Sequence, residues 1–356
     1  MSLSLSSVPP PSPAAQSRFP VPLPSPLPFS PAWFVPGAHL QTLWRRLFPQ
    51  RVTVRWTMER WDTPDGDFVD VARVAAPPGA PRFLMLHGLE GGLHSHYAHA
   101  TLAEASRRGW GADMLLFRGC SGEPNRARRF YHSGETSDLA FAVDRIASEF
   151  PRDPLVLAGY SLGGNVLVKW LGERGGDLPP QLAGAAAVSV PFDLERGSRR
   201  LGRGFSKVYQ HAFLKSLRRK ALDKIERFPG LADREEVRRV RTIYDYDDRV
   251  TAPVHGFQNA NDYYTRSSAL GWLWRVRLPT LLLSAIDDPF LPPEVLDEVR
   301  VVARINSALH LEFSPRGGHV GFVGGTIPWK PFFYGEWRVC EFLAERLAAT
   351  AVARAS

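Results

Sequence analysis

Apolar positions along this chain fall into short runs that alternate with stretches of helical spacing. Residues 52–57 (Val-Thr-Val-Arg-Trp-Thr) alternate apolar and polar side chains, which predicts a strand. Asp65-Gly66, after Thr63-Pro64, marks a turn, and residues 68–74 alternate again, so the two segments are expected to pair as a hairpin. Residues 83–86, 114–117, 155–158, 182–190, 279–284 and 309–313 are short apolar runs of the kind buried on both faces of a sheet. Helical spacing predicts helices over 97–108 (closed by Gly109), 135–150 (through Leu139, Phe141, Ala142, Val143 and Ile146), 163–172 and 337–348.

Strands that alternate with helices predict parallel β-α-β units in one open sheet covered on both faces, with the leading hairpin at an edge. The alternation is interrupted over 193–274 by mostly helical, polar sequence. That insertion is expected to form a helical cap over the carboxyl edge of the sheet, where such sheets bind ligands. The expected organisation is an α/β core over 31–192 and 275–348, a cap over 193–274, and a Pro/Ser-rich tail over 1–30. The tail reads as disordered, because its prolines lack donors and its composition cannot bury a core.

Composition narrows the class. The chain is 44% hydrophobic and 22% charged, as in ordinary globular proteins. It contains no run of about 18 apolar residues, so no transmembrane helix is expected. The N-terminus lacks a basic stretch followed by an apolar one and does not read as a secretory signal. Two cysteines, Cys120 and Cys340, with no Cys-x-x-Cys spacing, point to a reducing compartment and a cytoplasmic location. The net charge of +8 comes mostly from dispersed arginines, and no nucleic-acid-binding motif accompanies it. A denser basic run over 196–227 reads as the solvated face of the cap, with peripheral contact to an anionic membrane as the alternative. His94, His96 and His99 are close in sequence, but no acidic partner stands at metal-binding spacing, so neither a metal nor a cofactor is expected. His94 or His96 at the mouth of the pocket is the alternative role.

The chemistry is concentrated in three places. Gly159-Tyr160-Ser161-Leu162-Gly163 is a Gly-x-Ser-x-Gly pattern with an apolar strand before it and a helical stretch after it. Strand, tight turn and helix together form a nucleophile elbow, which lifts the serine oxygen clear of the sheet beside a helix N-terminus. The acid and base partners of such a serine follow it in the chain. Asp287-Asp288-Pro289 ends the 279–284 strand, and Gly317-Gly318-His319 follows the 309–313 strand. Asp288 is preferred as the acid for its Asp-Pro-x-x-Pro spacing, which leaves Asp287 a helix N-cap role. His319 would be the general base. His87-Gly88-Leu89-Glu90-Gly91-Gly92, after the 83–86 strand, is placed to supply an oxyanion donor. The expected donors are the backbone N–H groups of Leu89 and Leu162.

With these elements placed, the chain resembles the YheT-like branch of the α/β-hydrolases over about residues 31–348. The matching segments are Gly37 to Leu43, His87 to Gly91, Phe117 to Gly122, Tyr131 to Thr136, Gly159 to Asn165, Asp287 to Pro289 and Gly317 to Phe322, in that order. The branch includes bacterial hydrolases and membrane-anchored animal relatives, and where the latter carry an anchor this chain has its Pro/Ser-rich tail. The resemblance implies a mostly parallel sheet with helices on both faces, a triad on Ser161, Asp288 and His319, and hydrolysis of small-molecule acyl or lipid-like esters.

Three functions remain open at this level: a carboxylesterase, an acyltransferase using the same acyl-enzyme, and a hydrolase fold kept as a binding module. Retention of all three triad residues weighs against the last. Ser133 or Thr136 is expected to cap the following helix, and Cys120 to be a buried free thiol. Phe257, Trp272 and Trp274 are candidates for an acyl pocket or for plain core packing. The sequence does not specify an oligomeric state.

Overall fold

The computed structural model describes residues 28–49 and 53–355. Most of the expected tail, and Val52, lie outside the described residues. Among these residues, eight strands form one sheet in the order β1-β2-β4-β3-β5-β6-β7-β8. They are β1 (Thr57–Asp62), β2 (Phe68–Val74), β3 (Arg82–Leu86), β4 (Gly111–Leu116), β5 (Leu155–Tyr160), β6 (Leu182–Val188), β7 (Thr280–Ala285) and β8 (Leu309–Ser314). β2 runs antiparallel to β1 and β4, and the pairings from β4 to β8 are parallel. Two short strands, β9 (Val323–Gly324) and β10 (Phe332–Phe333), pair separately.

The helices are α1 (Ala38–Leu47), α2 (His96–Arg107), α3 (Ser137–Glu149), α4 (Leu162–Arg174), α5 (Leu194–Leu201), α6 (Ser206–Arg227), α7 (Arg234–Arg239), α8 (Ile243–Tyr246), α9 (Ala252–His255), α10 (Ala260–Ser267), α11 (Glu294–Ala303) and α12 (Tyr334–Ala355). None of them is long and apolar enough to cross a membrane.

The hairpin stands at the sheet edge as expected, but its first strand lies later in the chain. Pairing covers Thr57–Asp62, and residues 53–56 carry no strand pairing. The Asp65-Gly66 turn sets the register by placing Asp62 opposite Phe68. On this solvent-facing edge strand only Trp61 is buried, so the hydrophobic alternation that would have marked it is missing.

Successive strand residues point to opposite faces of the sheet, and this divides the core in two. Leu84, Leu86, Leu155 and Leu157 join the cluster under α3, α4 and α11. Phe83, Met85, Val156 and Ala158 join the cluster under α2 and α12. Each of these side chains is fully buried, a burial that stabilises by about 1.5–3 kcal/mol for the larger ones. The small residues of β6 let α12 approach closely: a Cβ on Gly184 would stand 2.7 Å from Arg346 Cγ.

Between β6 and β7 the chain leaves the sheet as α5 to α10, followed by a 3-10 turn over Ala269–Arg275. Part of this segment has its own apolar cluster, including Leu214, Leu217, Val237, Tyr246 and Val250. Asn165 of α4 ties the segment down. Its Nδ2 donates to the Ser133 and Ser267 carbonyls at 2.8 Å each, and its Oδ1 accepts the Ala269 N–H at 2.9 Å.

Candidate active site

The site forms where the parallel strands end. Ser161 follows β5 directly and stands at the N-cap of α4 with φ 53°, a left-handed conformation that is costly for a residue with a Cβ. Close packing enforces it. A Cβ on Gly163 would meet the His87 carbonyl oxygen at 2.5 Å, so the start of α4 presses against the end of β3 only because that residue is glycine.

His319 arrives on the loop after β8. A Cβ on Gly318, whose φ is +61°, would lie 2.4 Å from the Ala38 carbonyl oxygen, and glycine is again required. The His319 N–H donates to Thr42 Oγ1 at 2.9 Å, and the Thr42 hydroxyl donates to the Ala38 carbonyl. The imidazole ring stacks on Phe290 with centroids 4.1 Å apart. Thr42 and Phe290 are positioning contacts that sequence reasoning missed. Thr42 lay within one of the quoted resemblance segments, but no local signal showed what it would touch.

The structure joins the three predicted side chains in one hydrogen-bonded chain. Ser161 Oγ lies 2.9 Å from His319 Nε2, and His319 Nδ1 lies 2.8 Å from Asp288 Oδ2. Asp288 is fully buried, and its Oδ1 accepts the Phe290 N–H at 2.8 Å. With the Asp288 carboxylate accepting from Nδ1, the hydrogen of the neutral ring sits there and Nε2 is left to accept from serine.

Asp287 does not cap a helix as expected. Its Oδ1 accepts the Gly318 N–H at 2.9 Å, which braces the histidine loop, and Pro293 is the residue that stands at the N-cap of α11. Burial raises the Asp287 carboxyl above its ordinary value, against the hydrogen bonds from Gly318 and Gly317.

Leu89 and Leu162 both line the same cavity as Ser161 and His319. The Gly88, Glu90 and Gly91 N–H groups donate to Tyr97 Oη, Tyr131 Oη and the Gly88 carbonyl. Neither the Leu89 nor the Leu162 N–H finds an acceptor among the described residues. Two backbone donors beside the serine are therefore left for a ligand.

The cavity encloses about 560 Å³ between the strand ends and the α5–α10 segment, within the range of small-molecule sites. Aromatic walls come from Phe130, Tyr131, Phe213, Tyr246 and Phe290. Phe257, Trp272 and Trp274 do not line it. Phe257 packs on His132 and Tyr263, Trp272 backs onto Gly172, and Trp274 is exposed. His94 and His96 do not line it either. Burial, helped by Arg45 and Arg46, pulls the His96 imidazole down to about 3.

Four other expectations meet corrections or refinements. Thr136 caps no backbone group: its hydroxyl donates to Glu173 Oε2, while the Glu135 carboxylate takes the Ser137 N–H at 2.7 Å. Ser133 also does not cap, and its N–H donates to Tyr263 Oη instead. Cys120 is only partly buried, with Lys220 Nζ 3.4 Å from its sulfur, and desolvation pushes the thiol up to about 11. The basic run over 196–227 is not uniformly a solvated face. Arg199, Arg200 and Lys215 are exposed, but Lys220 and Lys224 turn inward to the cavity.

No local sequence signal reveals how the loop after β3 is held. Glu90, with φ 53°, accepts from the Tyr131 hydroxyl at 2.8 Å, from Lys220 Nζ at 2.9 Å and from the Ser216 hydroxyl. Lys220 and Ser216 both belong to α6 and lie more than a hundred residues away in sequence, so no local pattern links them to Glu90.

Known proteins resemble this chain in sequence and in fold. A family described as "alpha/beta hydrolase fold" matches residues 81–325. The putative esterase YheT of Escherichia coli (strain K12) is 41% identical over 333 residues, covering 90% of this chain and 95% of that protein. Phospholipase ABHD3 of Mus musculus is 30% identical over 297 residues, covering 81% and 71% respectively. Among solved structures, the Pyrococcus furiosus esterase Pf2001 superposes with a TM-score of 0.54 at 15% identity, covering 83% of this chain and 91% of that one. At that identity the likeness shows the fold alone. The sequence relatives carry the finer assignment: this chain belongs to the α/β-hydrolase fold family, in its YheT-like branch.

Proposed function

We propose that the protein is a serine carboxylesterase that cleaves acyl or lipid-like esters through an acyl-enzyme on Ser161. The observation that carries this reading is the Ser161–His319–Asp288 chain, at 2.9 and 2.8 Å, opening into a cavity of about 560 Å³. The names of its relatives, esterase and phospholipase, agree with ester cleavage.

In the proposed reaction Ser161 Oγ attacks the ester carbonyl carbon as its proton passes to His319 Nε2. The C=O electron pair moves onto oxygen, and the Leu89 and Leu162 N–H groups receive that oxyanion, each donor contributing about 3 kcal/mol to the transition state. The carbonyl re-forms, the C–O bond to the alcohol breaks, and His319 gives its proton to the departing oxygen. Water then attacks the acyl-enzyme with His319 again taking a proton, and the acid and free serine result. Asp288 holds the ring tautomer and stabilises the imidazolium. In the same reading residues 193–274 are a cap that closes over an α/β core of 31–192 and 275–348, shielding the acyl-enzyme from bulk water.

The test is hydrolysis of p-nitrophenyl esters across acyl lengths by wild type and Ser161→Ala, with products analysed in the presence of an added alcohol. Serine-dependent release of free acid supports hydrolysis. Acyl transfer to the alcohol as the main product would replace esterase by transferase, and unchanged hydrolysis by Ser161→Ala would overturn the reading.

A further inference from the structure

Of the α6 residues that line the cavity, Phe213, Leu217, Lys220, Lys224 and Arg227 form a stripe whose spacing alternates four and three residues along one helix face, and Arg219 and Asp223, both exposed, flank it. The stripe begins at the catalytic histidine: Phe213 lies 6.0 Å from Phe290, which stacks on His319. Lys224 comes eleven residues after Phe213, about 16 Å further along the axis at 1.5 Å per residue. Over that distance the stripe changes from apolar to cationic.

The first cation is already matched, since Lys220 pairs with Glu90. Lys224 is not matched. It is only 7% exposed. Its Nζ donates to the Arg129 carbonyl at 2.6 Å and sits 4.6 Å from the Phe130 ring centroid, and no carboxylate lies within ion-pair distance among the described residues. Arg227 has a carbonyl partner, Asn125 O at 3.0 Å, and likewise no carboxylate.

Apart from Asp223, which is exposed, the carboxylates of this end are engaged elsewhere. Asp67 takes Arg118, the Asn125 amide and the Arg126 and Ala127 N–H groups, and Glu123 pairs with Arg60. Asp247 also lines the cavity, but its oxygens take the Thr251 and Tyr264 hydroxyls. Burial pulls the Lys224 ammonium down to about 8 against the attraction of Asp67, with Arg227, Arg118 and Arg129 adding to the depression. A buried ammonium answered only by a carbonyl and a ring is costly unless an anion joins it.

We propose that the cavity takes an ester whose apolar arm ends in an anionic group, carboxylate or phosphate, received by Lys224 and Arg227. The proposal rests on the reading of Ser161 as the nucleophile, since the reacting carbonyl must lie at the other end of the stripe. The scissile group would sit at Ser161, the apolar arm would run along Phe213, Leu217, Tyr246 and Phe130, and the anion would end the arm.

The experiment compares p-nitrophenyl esters of long alkanoates with esters of equal chain length that end in carboxylate or in phosphate. The ratio of kcat/KM for charged over neutral substrate is measured in wild type, Lys224→Met and Lys224→Arg. Wild type is expected to favour a charged end. Lys224→Met is expected to lower that ratio roughly tenfold to a hundredfold, the size of one charge-assisted hydrogen bond, and Lys224→Arg to restore most of it. Whichever charged series responds identifies the anion.

Binding of dodecanedioate and dodecyl phosphate, against dodecanol, is measured in parallel by calorimetry on Ser161→Ala, with and without Lys224→Met. This separates failure of the anion site from failure of the serine mechanism. Lys224-dependent binding supports the site even if no ester turns over. A ratio and an affinity both indifferent to Lys224 would overturn it.

Discussion

At the scale of single residues, the site depends on a few atoms that admit no substitute. Asp288 and Asp287 are neighbours, but only Asp288 reaches the imidazole. Asp288→Asn is expected to lower kcat by about four orders of magnitude, because the amide would favour the wrong tautomer. Asp287→Asn keeps an acceptor for the Gly318 N–H and is expected to lose less than about tenfold; equal losses in steady-state kinetics would reverse the assignment. Gly163→Ala would force its Cβ against the His87 carbonyl. That overpacking is expected to cost about 1–3 kcal/mol, read as a lower midpoint of chemical denaturation. Ser161, Asp288 and His319 were legible because each sits at the end of an apolar run in a recognisable local pattern. Thr42 and Phe290 were not, because a threonine inside a helix and a phenylalanine after a proline have no signature until the chain folds them against His319.

Helices and loops show a different balance of what the sequence reveals. Strands of the parallel sheet were visible because burial on both faces makes them continuously apolar, whereas β1 was misplaced because an exposed edge strand has no such run. The inward face of α6 was also hidden. Lys220 and Lys224 look like surface lysines in sequence, and only the fold gives them partners, Glu90 for Lys220 and the Arg129 carbonyl for Lys224. That contact has a consequence for catalysis. Glu90, the residue after Leu89, is tied to Tyr131 and to Lys220 of α6, so in the proposed mechanism it fixes the direction of the Leu89 N–H. Glu90→Gln weakens the link to Lys220 and is expected to lower kcat about tenfold to a hundredfold with a smaller change in KM, as for a misplaced oxyanion donor. Stopped-flow or steady-state kinetics that showed only a KM effect would remove Glu90 from the positioning of the loop.

Considered whole, the molecule pairs a sheet whose strand ends carry the candidate site with a helical segment that lines the same cavity. The sheet order follows from β-α-β alternation, and the helical insertion was legible as the place where that alternation stops. How its helices pack was not legible, because the polar ties that fix it, such as Asn165 to Ser267 and Ala269 and Lys220 to Glu90, join residues far apart in the chain. The segment also carries a pH-dependent weakness. Asp247, in a π-helical turn (Asp247–Thr251), is buried, and burial raises its carboxyl to about 7 although the Thr251 and Tyr264 hydroxyls partly offset this. Its value in the unfolded chain is near 3.8. The folded state therefore binds the proton more tightly, and stability falls as pH rises from 3.8 to about 7. Asp247→Asn, which keeps the hydrogen bonds without the charge, is expected to raise Tm over wild type above pH 7 and to be nearly level with it below 3.8. A Tm difference that does not change with pH would show that Asp247 does not titrate in this window.

The central claim, that Ser161 is the nucleophile, is tested most directly by labelling the intact protein with a fluorophosphonate and locating the adduct by peptide mass mapping, with ester hydrolysis followed in parallel. The geometry predicts one adduct, on Ser161, accumulating in step with loss of hydrolysis and slowed severely by His319→Ala. An adduct on another residue, or ester hydrolysis that survives complete labelling of Ser161, would contradict it.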